Sequence, residues 1–508
     1  MSASGLAKAV ELMRQTNQPE SAIATFRANY HALAAGATGV IAETEIEPLA
    51  EVPHLDSVEV GETAQTAALA QTVVIRLNGG LGTSMGLAGP KSLLEVRESK
   101  NFLDLIVAQV LHARRTYGVR LPLLFMDSFH TAAPTLAHLA NYPSLPVAGL
   151  PLDFLQSAEP KLTVADLEPV AYPADPELEW CPPGHGDLYP ALWADGLLGR
   201  LLAAGYRYAF VANGDNLGAV PDPKLAGWFA ASGAPFAAEV CARTANDRKG
   251  GHLAIRKADG QLVLRESAQT APEDLPAFED VARHHFFNTN NLWLDLAALA
   301  DRLEACGGVL GLPLIRNVKT VNPADPDSAP VYQLETAMGA AISVFAGARV
   351  IEVGRDRFLP VKSTAELLLL RSDVFSLEAD GRFRLAAPAI PPIKLAEQYY
   401  QLLGGFEPRF AAVPSLRHCT GLEIDGDWSF PTAAEIVGPL ELPEVTSPAS
   451  YPVDYLRLHG LSPAQFLAQQ EATRAELGIV ASEAVPPSGR TELNADERRL
   501  LSDVPPHW

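Results

Sequence analysis

Two lysines, one carboxylate and a run of glycines are the residues of this sequence whose types and spacing could do chemistry. The glycines lie in Arg76-Leu77-Asn78-Gly79-Gly80-Leu81-Gly82-Thr83-Ser84-Met85-Gly86-Leu87-Ala88-Gly89-Pro90-Lys91-Ser92, five of them within eleven residues. Glycine admits positive φ and lets main-chain N–H groups approach a ligand with no Cβ in the way. Successive N–H groups in such a loop form an anion-binding concavity, to which Lys91 adds a mobile positive charge. A glycine-rich surface turn is the plain alternative. The stretch is not a Walker A loop, because Pro90 separates Gly89 from Lys91. Nor is it the dinucleotide fingerprint, because Gly80, Gly82 and Gly86 are spaced G-x-G-x-x-x-G.

The carboxylate is Asp215, in Asn213-Gly214-Asp215-Asn216. This turn follows an apolar run at 208–212, and magnesium favours one or two carboxylates plus phosphate oxygens and water. The same residues also simply favour a turn. His185 sits between Gly184 and Gly186, where an imidazole could donate to a phosphate or be structural. Asn288-Thr289-Asn290-Asn291 offers three amides and a hydroxyl, suited to a sugar or to a polar turn. Lys362 precedes a helix expected over 365–370, whose start favours anions through free N–H groups and the dipole. An ordinary surface lysine is the other reading.

The elements that must position these groups follow from the apolar pattern. Thr72-Val73-Val74-Ile75, 121–126, 208–212, 236–240, 252–255 and 291–294 read as strands, and 102–110, 295–304 and 333–345 as helices. This alternation predicts an α/β fold: a Rossmann-like domain with a mixed, mainly parallel sheet that binds ligands at the carboxyl ends of its strands. Residues 1–65 read as a helical lead-in with an acidic connector, and 66–372 as the catalytic domain. Short β pieces with turns make 373–445 a separate C-terminal β unit, and 446–508 a tail with a helix starting at Ser462-Pro463.

At 508 residues, two or three domains are expected. The net charge of −21 argues against non-specific nucleic-acid binding. No apolar run is long enough to span a membrane, and residues 1–18 lack a signal-peptide core, so a cytoplasmic location is the default. Cys181, Cys241, Cys306 and Cys419 form no C-x-x-C pair.

The motifs together resemble the UTP–glucose-1-phosphate uridylyltransferase family in its eukaryotic-type branch. They are LNGGLGTSMGLAGPKS at 77–92, PPGHGDLY at 182–189, NGDNLGA at 213–219, KGGHL at 249–253, FFNTNNLW at 286–293, QLETAMGAAI at 333–342 and RFLPVKST at 357–364. The resemblance implies nucleotidyl transfer that makes UDP-glucose and pyrophosphate from UTP and glucose 1-phosphate, with Mg²⁺. It implies that Leu77, Asn78, Gly79 and Gly80 contact UTP, that Gln156 and Gly184 read the uracil edge, and that Asn213 lies near the nucleotide. Asp215 would hold Mg²⁺, His185 would touch glucose 1-phosphate, and Asn290 would touch the sugar. Lys91 and Lys362 would be the catalytic cations, meeting the phosphates from opposite sides. A short left-handed β-helix is implied for the C-terminal unit, and that region could carry a homo-oligomer contact. Leu87-Ala88 stand where the family often has Cys-Lys, and Gly214 replaces a larger residue. A broad-specificity UDP-sugar pyrophosphorylase, a non-catalytic nucleotide sensor and a glycosyltransferase are the alternatives. The last would usually carry Asp-x-Asp where Asn213 stands.

Overall fold

Apolar runs flanked by turn residues build the sheet that carries the site. The computed structural model describes residues 3–87, 89–244 and 247–479. Ten strands make the central sheet: β1 (Ile46–Pro48), β2 (Thr72–Asn78), β3 (Leu123–Asp127), β4 (Asp153–Leu155), β5 (Tyr208–Asn213), β6 (Phe236–Ala242), β7 (His252–Arg256), β8 (Leu262–Arg265), β9 (Phe286–Asp295) and β10 (Arg349–Glu352). At its centre β5, β2, β3 and β4 lie side by side and parallel. Val73, Val74 and Ile75 on β2 are fully buried, as expected of a parallel strand covered on both faces. Strand β9 runs antiparallel to β5 and β6, and β6 is parallel to β10. Strand β7 joins β9 and carries β1 and β8, all antiparallel. The sheet is therefore mixed, and β2, which leads into the glycine loop, lies in its parallel part.

The chain forms two compact units. The first comprises Met1–Gly80 and Val107–Phe358 and contains the sheet. Helices α1 (Ala3–Gln15) and α2 (Glu20–Ala34) open this unit. They bury Ala9, Met13, Ile23 and Phe26 against Leu314 and Leu334, which belong to a hairpin of that unit.

The second unit comprises Leu81–Ile106 and the chain from Leu359 on. Its strands β11 (Ile393–Leu395), β12 (Ser415–Ile424) and β13 (Glu435–Leu442) form a parallel ladder. Phe410 stacks on Phe430 with ring centroids 5.0 Å apart, and Phe430 packs against a tilted Tyr451 at 5.3 Å. The helix expected from Ser462 spans Pro463–Glu476, and the Ser462 hydroxyl accepts from the Gln465 N–H. The tail beyond residue 479 lies outside the described residues.

One expected element is replaced. In place of a helix over 333–345, Pro330–Thr336 is a strand paired with Leu314–Thr320, and Met338–Ser343 is a 3₁₀ segment. Tertiary bonds outcompete local propensity there: Tyr189 donates to the Met338 carbonyl at 2.6 Å, and the Met338 N–H donates to His185.

Candidate functional site

The ends of β2 and β5 bring the glycine loop to the Asp215 turn. Leu77 and Asn213 are register partners, and the Gly214 N–H donates to the Leu77 carbonyl at 2.8 Å. A Cβ on Gly214 would lie 2.7 Å from that oxygen, so glycine lets the two strand ends close. The Asn78 amide spends both hydrogens on β3 and its following helix. It donates to Asp127 Oδ1 at 2.7 Å and to Thr135 Oγ1 at 2.9 Å. Asp127 is fully buried, and burial pushes its carboxyl up to about 6 against the opposing pull of the Asn78 and Thr131 hydrogen bonds.

Gln156 follows β4, and its N–H donates to the Asp127 carbonyl at 2.7 Å. Its side chain lies on the backbone of Gly79, where a Cβ would come within 2.5 Å of Oε1. Asp187 then ties this segment to the histidine turn: Oδ2 accepts from the Ser157 N–H at 2.5 Å. Burial pushes the Asp187 carboxyl up to about 7. Gly184 has φ of 79°, and a Cβ there would meet the Thr336 carbonyl oxygen at 2.7 Å.

His185 Nδ1 accepts from the Met338 N–H at 2.9 Å. The neutral ring therefore carries its proton on Nε2, as a donor. Asn290 has a positive φ of 58° where the register between β6 and β9 shifts. Its Oδ1 accepts from Asn288 Nδ2 at 2.8 Å. Gly339 lies against this amide pair, with a Cβ position 3.1 Å from Asn288 Nδ2. His185 and Asn290 thus meet through residues 338 and 339.

The first unit therefore carries Leu77, Asn78, Gly79, Gly80, Gln156, Gly184, His185, Asn213, Asp215 and Asn290, while Lys91 and Lys362 both belong to the second. Lys91 is half-buried and opens the 3₁₀ turn Lys91–Leu93 after Pro90. The loop before it uses left-handed backbone at Gly82 and Gly86, and its Ala88 lies outside the described residues. Lys362 is exposed and precedes the helix Thr364–Arg371. Glu366 Oε2 accepts from the Lys362 N–H at 3.1 Å and from the Ser363 N–H at 2.6 Å. Glu366 thus closes a capping box on Ser363, the residue that precedes the helix.

Asp215 is half-buried at the end of β5. Among the described residues no group of three His, Cys, Asp or Glu side chains could hold a metal. A lone carboxylate fits magnesium, which takes its other ligands from phosphate and water, and does not fit zinc.

Sequence reading missed the polar network beneath these residues. Arg357 makes a bidentate pair with Glu239, Nε to Oε2 at 2.7 Å and Nη2 to Oε1 at 2.9 Å. Trp293 Nε1 and Asn291 Nδ2 also donate to Glu239, at 2.9 and 3.1 Å. Asn216 Nδ2 donates to Asn291 Oδ1 at 3.1 Å and to the Arg357 carbonyl at 3.2 Å. The available signal was a lone charge inside an apolar strand, Arg76 in β2 and Glu239 in β6.

Residues 23–436 match the family model described as UTP–glucose-1-phosphate uridylyltransferase. The chain is 40% identical over 363 residues to the UTP–glucose-1-phosphate uridylyltransferase of Saccharomyces cerevisiae, covering 71% of each. It is 38% identical over 407 residues to that of Solanum tuberosum, covering 78% of this chain and 80% of that protein. A crystal structure of a mutant UDP-glucose pyrophosphorylase from Leishmania major, in complex with UDP-glucose, superposes with a TM-score of 0.82. It is 40% identical to this chain and covers 89% of it and 97% of the other. The UDP-glucose phosphorylase of Trypanosoma brucei gives a TM-score of 0.82 at 42% identity, covering 88% and 97%.

Proposed function

This chain belongs to the UTP–glucose-1-phosphate uridylyltransferase family, and from that membership we infer that it makes UDP-glucose and pyrophosphate from UTP and glucose 1-phosphate. A phosphate oxygen of glucose 1-phosphate forms a bond to the α-phosphorus of UTP. The bond from that phosphorus to the bridging oxygen breaks, and its electron pair leaves with pyrophosphate. The attacking monoester is ionised at neutral pH, so the site needs alignment and positive charge rather than a strong base.

The observation that carries this reading is three contacts: Gln156 on Gly79 and Leu77 on Gly214 at the strand ends, and His185 with Asn290 through residues 338 and 339. Leu77, Asn78, Gly79 and Gly80 hold the nucleotide beside Asn213, with Gln156 and Gly184 at the uracil edge. The Nε2 proton of His185 points its donor capacity to the sugar phosphate, and the Asn290 amide takes the sugar. Asp215 would hold Mg²⁺, which when bound offsets phosphate charge at the reacting centre. Lys91 and Lys362 supply further positive charge to the phosphates. The parallel ladder β11–β12–β13 supports reading the C-terminal unit as a short β-helix, and self-association through that region belongs to the same proposal.

The test is pyrophosphate release from UTP with a panel of sugar 1-phosphates, with and without Mg²⁺. Glucose 1-phosphate is expected to be turned over, and UTP to be preferred over CTP, ATP and GTP, because buried polar groups left unpaired reject the wrong base. No release with UTP, glucose 1-phosphate and Mg²⁺ would end this reading. Equal turnover of galactose 1-phosphate would favour the broad-specificity enzyme.

A further inference from the structure

Arg76 stands just before the glycine loop and has no part in the chemistry above. It is fully buried in the central strand β2. Its guanidinium donates to two main-chain carbonyls of the Asp215 turn, from Nη1 to Asn216 at 3.4 Å and from Nη2 to Ala219. Among the described residues no carboxylate forms an ion pair with it. Arg357, whose charge Glu239 matches, and Arg76 each sit 5.7 Å from the ring centroid of Phe210. Burial and the neighbouring Arg357 lower the Arg76 guanidinium to about 9, which leaves it charged at neutral pH. A buried cation with no ion pair of its own is costly and is kept where something requires it.

We propose that Arg76 is a positioning residue, holding residues 216–219 from below and so fixing the Asp215 carboxylate one residue upstream. The turn also carries bonds of its own, among them the Gly218 N–H to Asn216 Oδ1 at 3.1 Å, and Gln109 Nε2 donates to its Leu217 carbonyl at 3.0 Å. Asn216 N–H reaches the Asn213 carbonyl at 3.2 Å, and Ala219 N–H reaches the Asn216 carbonyl at 3.3 Å. The Asn216 side chain is clamped from the other side by Asn291 and the Arg357 carbonyl. Arg76 completes this clamp because a planar fork spans two carbonyls, which a lysine ammonium on a flexible stem does not reproduce. The consequence for metal binding rests on the reading of Asp215 given above.

The test is Arg76→Lys in the full chain, which keeps the charge and loses the fork. Hydrogen exchange, read by mass spectrometry without metal or substrate, is expected to quicken about tenfold in the 214–219 amides and to stay unchanged in β9. In the same variant kcat is expected to fall about tenfold, with the KM values for both substrates within about threefold of the parent. Affinity for Mn²⁺ with UTP, read by electron paramagnetic resonance, is expected to fall by a similar factor, the scale for losing a supporting partner of a ligand. Unchanged exchange in the turn would overturn the proposal. So would exchange raised across the sheet or a variant that fails to fold, since Arg76 would then support the sheet and not the turn. The exchange measurement judges Arg76 even where Asp215→Ala keeps its activity, a result that would sink only the metal reading.

Discussion

Asp215 follows its strand, and among the described residues no group of three His, Cys, Asp or Glu side chains stands ready to substitute for it. Asp215→Ala is therefore expected to lose about 10²-fold or more in kcat, the scale of one electrostatic stabiliser, while its urea midpoint stays near that of the parent. Near-normal turnover at ordinary Mg²⁺ would place the metal elsewhere. Lys91→Ala and Lys362→Ala are each expected to lower kcat by about 10²-fold. A Lys362→Ala enzyme with only a raised KM for UTP would reduce that lysine to ground-state binding. Asp127 gives a prediction about stability. Its carboxyl is raised in the folded state from 3.8 to about 6, so the fold binds that proton more tightly than the unfolded chain does. The associated stability is present below about pH 4 and is lost as pH rises through about 6. Asp127→Asn removes this loss and keeps an acceptor for Asn78. It is expected to gain stability over the parent between pH 5 and pH 8, by up to about 3 kcal/mol, read from urea unfolding at the two pH values. An identical difference at both would show that Asp127 does not titrate there.

At the scale of elements, the site depends on how closely turns approach strands. Gly184 is the sharpest case. Its φ of 79° and the 2.7 Å and 2.9 Å approaches of a Cβ to the Thr336 backbone leave no room for a side chain. Gly184→Ala must shift the turn 184–187 away from residues 336–338, which breaks the Met338 bond to His185. The expected result is a loss of about 2 kcal/mol in urea unfolding and a raised KM for glucose 1-phosphate. Unchanged kinetics would show that the turn adapts. The short strands and the helices at 296–305 and 364–371 were legible in the sequence because apolar spacing and caps agree there. The strand and 3₁₀ segment at 330–343 were not. Their residues favour a helix locally, and pairing with Leu314–Thr320 and the bond to His185 decide otherwise.

Across the whole molecule, the first part of the tail joins the second unit's core, and the helix Pro463–Glu476 lies on it with no buried residue of its own. Tyr451 and Leu456 are buried, the Gln470 amide donates to the Glu435 carbonyl on β13, and a Cβ on Gly438 would lie 2.7 Å from Thr473 Cγ2. Ending the chain at residue 445 is expected to lower the unfolding midpoint of the second unit and to expose Phe430 to quenchers. An unchanged midpoint would show that the tail is dispensable. The motifs in their order were enough to show the resemblance to the family, and the resemblance implied the reaction and the residues proposed to face the substrates; the residue types alone pointed only to a phosphate site. The alternating apolar runs were enough for the α/β sheet as well. The groups that hold those residues still emerge only in the folded chain: Arg76 and Arg357 on the Asp215 turn, Asp187 between Gln156 and His185, and Met338 on the imidazole. Those bonds join residues far apart in the chain, such as Arg76 with Ala219 and His185 with Met338. A buried charge finds its partner through strand order and register, and neither leaves a mark in local sequence.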